Sequence, residues 1–235
     1  MRPASAAISF AVALAGCGGG ATSPMGTLSC DATEPEHSGE ATYYTFANGD
    51  GNCMFGPSSE SPLMIGAMNH TDYAASAVCG ACIELTGPNG AISIRIVDQC
   101  PECPEGNIDL SPDAFALIAP LEQGRVPITW RYASCDVSGS IAYHFKDGSS
   151  QWWTAVQIRN HRNRVARVEY LAGDGTYKEV DRVDYNYFVE DSGMGPGPYT
   201  FRVTDVYGNV AEDQAIQHVE NGDVPGQSQF PPCGG

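Results

Sequence analysis

Cysteine use constrains this chain more than any other feature. Nine cysteines are spread over 235 residues, and they follow Met1, Arg2 and an apolar run over residues 6–14. That run has the charge and length of a secretory signal rather than of a membrane span. It ends in Leu14-Ala15-Gly16-Cys17, the pattern of a bacterial lipobox, in which the signal is removed before the cysteine and the thiol receives lipid. The alternative is an ordinary signal peptide with a chance cysteine. Nine less Cys17 leaves eight: Cys30, Cys53, Cys79, Cys82, Cys100, Cys103, Cys135 and Cys233. An even set in an exported chain fits disulfides, because an oxidising compartment consumes free thiols.

Two of the spacings allow a rival reading. Cys79-x-x-Cys82 and Cys100-x-x-Cys103 match the ligand pattern of a four-thiolate zinc site. Export argues against it, as do the four further cysteines that zinc would leave over. A redox-active dithiol is disfavoured too, since neither pair sits in a β-α-β pattern. Neither a metal nor any cofactor is therefore expected. No G-x-G-x-x-G, G-x-x-x-x-G-K or H-E-x-x-H motif occurs, and the formal net charge of −16 opposes binding to nucleic acid, whose phosphates need clustered Lys and Arg.

After Cys17 the residues are small and polar, Gly18-Gly19-Gly20-Ala21-Thr22-Ser23-Pro24, which reads as a flexible tether over 18–38, with folded structure expected from near Glu40. Beyond it, short segments with alternating apolar positions recur between Gly-, Pro- and Asn-rich turns, the pattern of antiparallel β structure. Segments 83–86 and 92–97 flank Gly87-Pro88-Asn89-Gly90, a hairpin, and 128–132 is a further strand. One helix is predicted: Ser111 as N-cap, Pro112 at the first helical position, Asp113 in the first turn, then residues 114–118. A boundary falls near 135–139. After it, Val156 and Ile158, then 165–170, then Tyr199, Phe201 and Val203 alternate as the half-buried strands of a sandwich do.

Two carboxylates and two tryptophans are candidates for chemistry. By alternation Asp98 shares a strand face with Ile92, Ile94 and Ile96, which would desolvate it and favour its protonated form. Asp109 lies between Ile108 and Leu110, just ahead of the helix cap. Brought to one groove, the pair would suit glycoside chemistry. Otherwise Asp98 ends a strand at a turn and Asp109 braces the helix N-terminus. Trp152-Trp153 offers flat faces for stacking on sugar rings. In a regular strand one of the two is buried, and both are exposed only if Gly148-Ser149-Ser150 breaks the alternation.

A series of strings in order makes the chain resemble a bacterial expansin from about Glu40 to Phe230. They are Ala41-Thr42-Tyr43-Tyr44, Cys79-Gly80-Ala81-Cys82, Val97-Asp98, Asp109-Leu110-Ser111-Pro112, Gly148-Ser149-Ser150-Gln151-Trp152-Trp153, Val156-Gln157-Ile158-Arg159-Asn160-His161 and Asp184-Tyr185-Asn186. The resemblance implies an all-β fold: a six-stranded double-psi β-barrel, like that of glycoside hydrolase family 45, over 39–136, then an immunoglobulin-like β-sandwich of the family 63 type over 138–230. It implies cell-wall loosening with little or no hydrolysis. Carried over by position, Asp109 is the essential barrel aspartate, with Thr42, Tyr44 and Asp98 as groove companions. Trp152, Trp153 and Tyr185, both tryptophans exposed, form a platform for cellulose or a related neutral β-glucan or xyloglucan, with Lys146 beside it. The same resemblance suggests bridges Cys53 to Cys79 and Cys82 to Cys135, leaving Cys100 with Cys103 and Cys30 with Cys233. The expected protein is an exported monomer, either a cell-envelope lipoprotein held to the membrane only through Cys17 or a secreted one.

The chain departs from the family in three places. Many bacterial expansins carry a tyrosine where this chain has Cys100, many are basic, and the lipobox is unusual. Three rival functions remain. A family 45-like endoglucanase needs a second carboxylate where this chain has Phe46, with Asp50 as the nearest substitute. A peptidoglycan lytic transglycosylase resembling rare lipoprotein A also pairs a lipobox with a double-psi barrel. A cellulose adhesin needs only the sandwich.

Overall fold

The structure, a computed structural model, describes residues 34–232 together with Met1. The expected leader (1–17), Cys17 as lipid acceptor, the tether up to residue 33, and Cys30 and Cys233 lie outside the described residues. Ordered contacts begin ahead of the expected Glu40. Glu34 Oε1 accepts hydrogen bonds from Arg164 Nη2 at 2.5 Å and from the Tyr207 hydroxyl at 2.7 Å.

The first half is a closed barrel. Its strands are β1 (His37–Tyr43), β2 (Ile65–Asn69), β3 (Cys82–Gly87), β4 (Gly90–Cys100), β5 (Ile108–Leu110) and β6 (Val126–Ala133). They close in the order β1-β5-β2-β4-β3-β6. The pairs β1/β5 and β2/β4 run parallel and the other neighbours antiparallel. The hairpin β3–β4 turns where Gly87-Pro88-Asn89-Gly90 predicts it, with Gly87 opposite Gly90. Ile83, Leu85, Ile94 and Ile96 face the core. Trp130, fully buried, is satisfied by donating its indole N–H to the Gly106 carbonyl at 2.8 Å.

Two short helices flank the barrel, α1 (His70–Tyr73) and α2 (Pro112–Ile118). The second starts as its sequence requires: Ser111 Oγ accepts from Ala114 N at 3.2 Å, and Ala114, Phe115 and Ile118 are buried. Capping therefore belongs to Ser111, which frees Asp109 from that task.

The second half is a two-sheet sandwich. Its strands are β7 (Ala142–Phe145), β8 (Thr154–Arg159), β9 (Val165–Leu171), β10 (Tyr177–Glu179), β11 (Asp181–Arg182), β12 (Phe188–Glu190), β13 (Tyr199–Asp205), β14 (Val210–Ile216) and β15 (Gly222–Pro225). One sheet runs β11-β12-β8-β7-β15 and the other β10-β9-β13-β14. Strand β13 alternates strictly, with Tyr199, Phe201 and Val203 in the core between the sheets.

Among the described residues, three disulfides join Cys53 to Cys79, Cys82 to Cys135 and Cys100 to Cys103. The two C-x-x-C pairs are thus not equivalent: Cys79 and Cys82 take separate partners, whereas Cys100 and Cys103 take each other. The Cys82–Cys135 bridge spans a sequence separation of 53 and ties the segment between the domains to β3. Closing a loop of that length removes enough unfolded-chain entropy to contribute about 4 kcal/mol. A Cys82→Ser, Cys135→Ser variant is expected to lose about that much in urea unfolding.

Candidate functional site: a barrel groove joined to an aromatic platform

Register places the barrel residues in one row. Thr42 on β1 is opposite Asp109 on β5, Asp109 is opposite Ala67 on β2, and Ala67 is opposite Asp98 on β4. Laterally paired residues share a face. On the other face lie Ile108, Leu110 and Met68, all buried. With strands about 4.8 Å apart, the Cα atoms of the two aspartates stand roughly 10 Å apart across the methyl of Ala67. Tyr44 follows directly after β1, its N–H bonded to the Leu110 carbonyl at 3.1 Å.

Asp98 reaches this row by a break in its strand. Gly66 pairs with Ile96 but Ala67 pairs with Asp98, so Val97 is an extra residue. Ile96 and Val97 are consequently both buried, and Asp98 points away from the face of Ile94 and Ile96. The expectation that Asp98 shares the isoleucine face is corrected by this bulge. The carboxylate is held by backbone: Asp98 Oδ1 accepts from Asn52 N at 2.6 Å and Gln99 N at 2.8 Å. Gly51 is pressed so close that a Cβ there would lie 2.4 Å from the Asp98 side chain, so the loop tolerates no side chain at that point.

Asp109 accepts a short hydrogen bond from the Thr42 hydroxyl. Burial pushes its carboxyl above the usual range, and the charges of Glu102 and Asp98 add to this. The Thr42 bond and Arg125 pull the other way. The Tyr44 phenol is pushed up by burial first and then by Asp98 and Asp109, so it remains a neutral donor. Cys100, two residues beyond Asp98, is buried in its bridge to Cys103 and offers no hydroxyl. Phe46 stands 90% exposed on the loop after β1.

On the sandwich, Gln151 and Trp152 form a tight turn closed by a bridge between Ser150 and Trp153, with Ser150 N bonded to Trp153 O at 2.7 Å. The tryptophans precede β8 rather than belonging to it, so strand alternation does not govern them. Trp152 is 74% exposed and Trp153 half-buried, so full exposure holds for one of the two. Tyr185, half-buried, precedes β12, which runs antiparallel to β8, and this places it toward the Arg159 end of that strand. Six residues of strand separate the two ends by about 20 Å. Between them lies Tyr187, 6.0 Å from the Tyr185 ring, with Lys146 Nζ 5.8 Å over its centroid.

The two halves meet where groove and platform converge. Asn52, whose N–H holds Asp98, donates from Nδ2 to the Asp184 carbonyl at 3.0 Å and to the Tyr73 hydroxyl at 2.8 Å. Gln157 Nε2 donates to the Cys53 carbonyl at 2.9 Å, and Ser76 Oγ donates to Val183 O at 2.8 Å. Sequence reasoning gave no role to Asn52, Gln157 or Tyr187; the Asn52–Asp184 and Gln157–Cys53 contacts exist only once the domains dock, and Tyr187 takes its place from the pairing of β12 with β8.

A family model described as lytic transglycolase matches residues 37–130. Expansin-YoaJ of Bacillus subtilis (strain 168) is 35% identical over 204 residues, covering 83% of this chain and 87% of that protein. A crystal structure of apo Clavibacter michiganensis expansin aligns with TM-score 0.79 and 32% identity, covering 85% of this chain and all of the other. A mutant of that expansin in complex with cellohexaose aligns with TM-score 0.78 and 31% identity over the same share of the chain.

Proposed function

Because the chain belongs to the expansin family, we propose that it binds cellulose or a related neutral β-glucan on the sandwich and loosens plant-type cell wall through the barrel groove, without hydrolysis. The observation that carries this is the link through Asn52, which couples the Asp98–Asp109 row to the Tyr185 end of the platform. One glucan assembly then meets both halves. The cellohexaose bound to the Clavibacter mutant supports a β-glucan as the ligand.

In this mechanism Trp152, Trp153 and Tyr185 stack on one glucan chain, and Lys146 binds hydroxyls beside Tyr187. Asp109, kept protonated further up the pH scale by burial and oriented by Thr42, donates to a neighbouring chain and competes with the hydrogen bonds between chains. Neutral Tyr44 donates alongside it, while Asp98 accepts. Asp98, the other carboxylate of the row, is committed to the N–H groups of Asn52 and Gln99, and the position where a family 45-like hydrolase needs its water-activating carboxylate carries the exposed ring of Phe46.

The test is extension of plant wall strips under constant load, with reducing sugar measured in the same bath. Extension without sugar supports the reading, and sugar release that depends on Asp109 would make the protein a hydrolase. The rival reading for the barrel, lytic transglycosylation of peptidoglycan, has only the family match over 37–130 behind it, and the expansin relatives do not favour it. Soluble muropeptides released from sacculi would establish it instead. The three disulfides support an exported protein. Lipidation at Cys17 and a monomeric state belong to the same proposal, checked by mass spectrometry and by sedimentation.

A further inference from the structure

A cavity of about 460 Å³ opens behind the groove, between the outer face of β4 and the β8–β9 connection. The loop over 49–58 is the partition. Its Gly51 and Asn52 lean on Asp98, while Gly49, Phe55 and Ser58 line the cavity. Arg95 on β4 lines it, flanked laterally by Ile65 and Cys82. The Arg95 guanidinium has no hydrogen-bond or ion-pair partner among the described residues, although every other arginine from Arg125 onward has a carboxylate, a carbonyl or an aromatic face beside it.

Burial works against the Arg95 charge, and Glu60 is the one group that supports it. The other cationic groups of the cavity are already committed. Arg159 donates to Asp223, to Gln157 and to the Met54 carbonyl. His161, bonded through Nδ1 to the Asn163 carbonyl, is held neutral by burial and by Arg95, its pKa lowered to about 4. One desolvated guanidinium therefore remains with a carboxylate nearby but no hydrogen-bonded partner among the described residues, and its burial costs free energy until an acceptor meets it.

We infer that this cavity binds a single uronic acid residue carried on an otherwise neutral glycan, with the sugar carboxylate seated on Arg95. A guanidinium fork matches a carboxylate in bidentate geometry. Phe55 and Met64 supply apolar walls for the ring, and Ser58, Ser93, Glu60 and Asp136 supply partners for hydroxyls. The volume suits sugar residues rather than a lone ion. The net charge of −16 repels a polyuronate, and the Glu60 and Asp136 carboxylates repel a second anionic group. An isolated uronate branch meets neither obstacle to the same degree. The glycan part of this inference rests on the proposed function, whereas the anionic group rests on Arg95.

Calorimetry on the purified protein tests it with three probes: a glucuronic-acid-substituted xylotetraose, the same oligosaccharide with its carboxyl reduced to an alcohol, and inorganic phosphate. The acidic oligosaccharide is expected to bind about tenfold or more tighter than the reduced one, the factor that a hydrogen-bonded charge contributes. Arg95→Gln should abolish the difference, with unchanged cellulose binding showing that the variant folds. The variant Trp152→Ala, Trp153→Ala, Tyr185→Ala should retain the difference, so failure of the platform reading and failure of this one are distinct results. Equal affinity for the acidic and reduced probes in the wild-type protein, which needs no variant, overturns the proposal. So do absence of binding, phosphate binding as tightly as the acidic sugar, or an unchanged preference in Arg95→Gln.

Discussion

Asp109→Asn is expected to abolish wall extension while leaving cellulose binding within about twofold of wild type. The substitution is conservative in contact. An Asn Oδ1 still accepts from the Thr42 hydroxyl, the bond that orients the carboxyl, so neither the groove nor Thr42 loses a partner. What disappears is the titratable proton. A positioned proton donor contributes at least about a hundredfold, and a loss of that size separates loosening from adhesion, since an adhesin would not register the change. Retention of extension by Asp109→Asn would remove the carboxyl from the mechanism.

The pH profile follows from the direction of the shift. Asp109 is raised, chiefly by burial, so its protonated form persists to higher pH than an ordinary carboxyl allows. Extension should be greatest in acid and should fall as pH rises through the raised value. A flat response between about pH 4 and pH 8 would exclude proton donation. The linkage to stability has the same sign. The folded state holds the Asp109 proton more tightly than the unfolded chain. The resulting stabilisation is fully present below the unfolded value and is lost as pH rises through the folded one. Asp109→Asn should therefore gain stability relative to wild type as pH increases, which thermal melts across that range would show.

The sequence made the fold legible wherever one local rule decides the outcome. The β3–β4 hairpin is written in Gly87-Pro88-Asn89-Gly90, α2 in Ser111-Pro112, and β13 in the alternation of Tyr199, Phe201 and Val203. Strand β2 was not legible, because Ile65-Gly66-Ala67-Met68-Asn69 is buried at every position and has no alternation to read. The site was legible by residue type but not by geometry. Nothing in Ile94-Arg95-Ile96-Val97-Asp98 announces that Val97 is extra, yet that single residue turns Asp98 out of the core and into line with Asp109. Asn52 was invisible for another reason. Its partners lie far from it in sequence, Asp98 by 46 residues within the barrel and the Asp184 carbonyl by 132 residues, and the second bond exists only across the docked domains.

Replacing Trp152, Trp153 and Tyr185 together with Ala is expected to weaken cellulose binding by about a hundredfold, because each stacked ring contributes roughly 1 kcal/mol beyond its buried area. The three sites are unequal. Trp152 is 74% exposed at the tip of its turn and makes no core contact, so Trp152→Ala alone reports binding with no cost to folding. Trp153 and Tyr185 are half-buried and their removal also loosens the sheet surface, which a parallel melt must separate from lost affinity. The rings lie along β8 over about 20 Å, so Trp152 and Tyr185 are far enough apart for their losses to add on a ligand that spans both. A soluble oligosaccharide too short to reach from Trp152 to Tyr185 should show the loss from one end only. If the triple variant still binds cellulose, the glycan contact lies in the barrel, and Phe46, the exposed ring on the loop after β1, becomes the first residue to change.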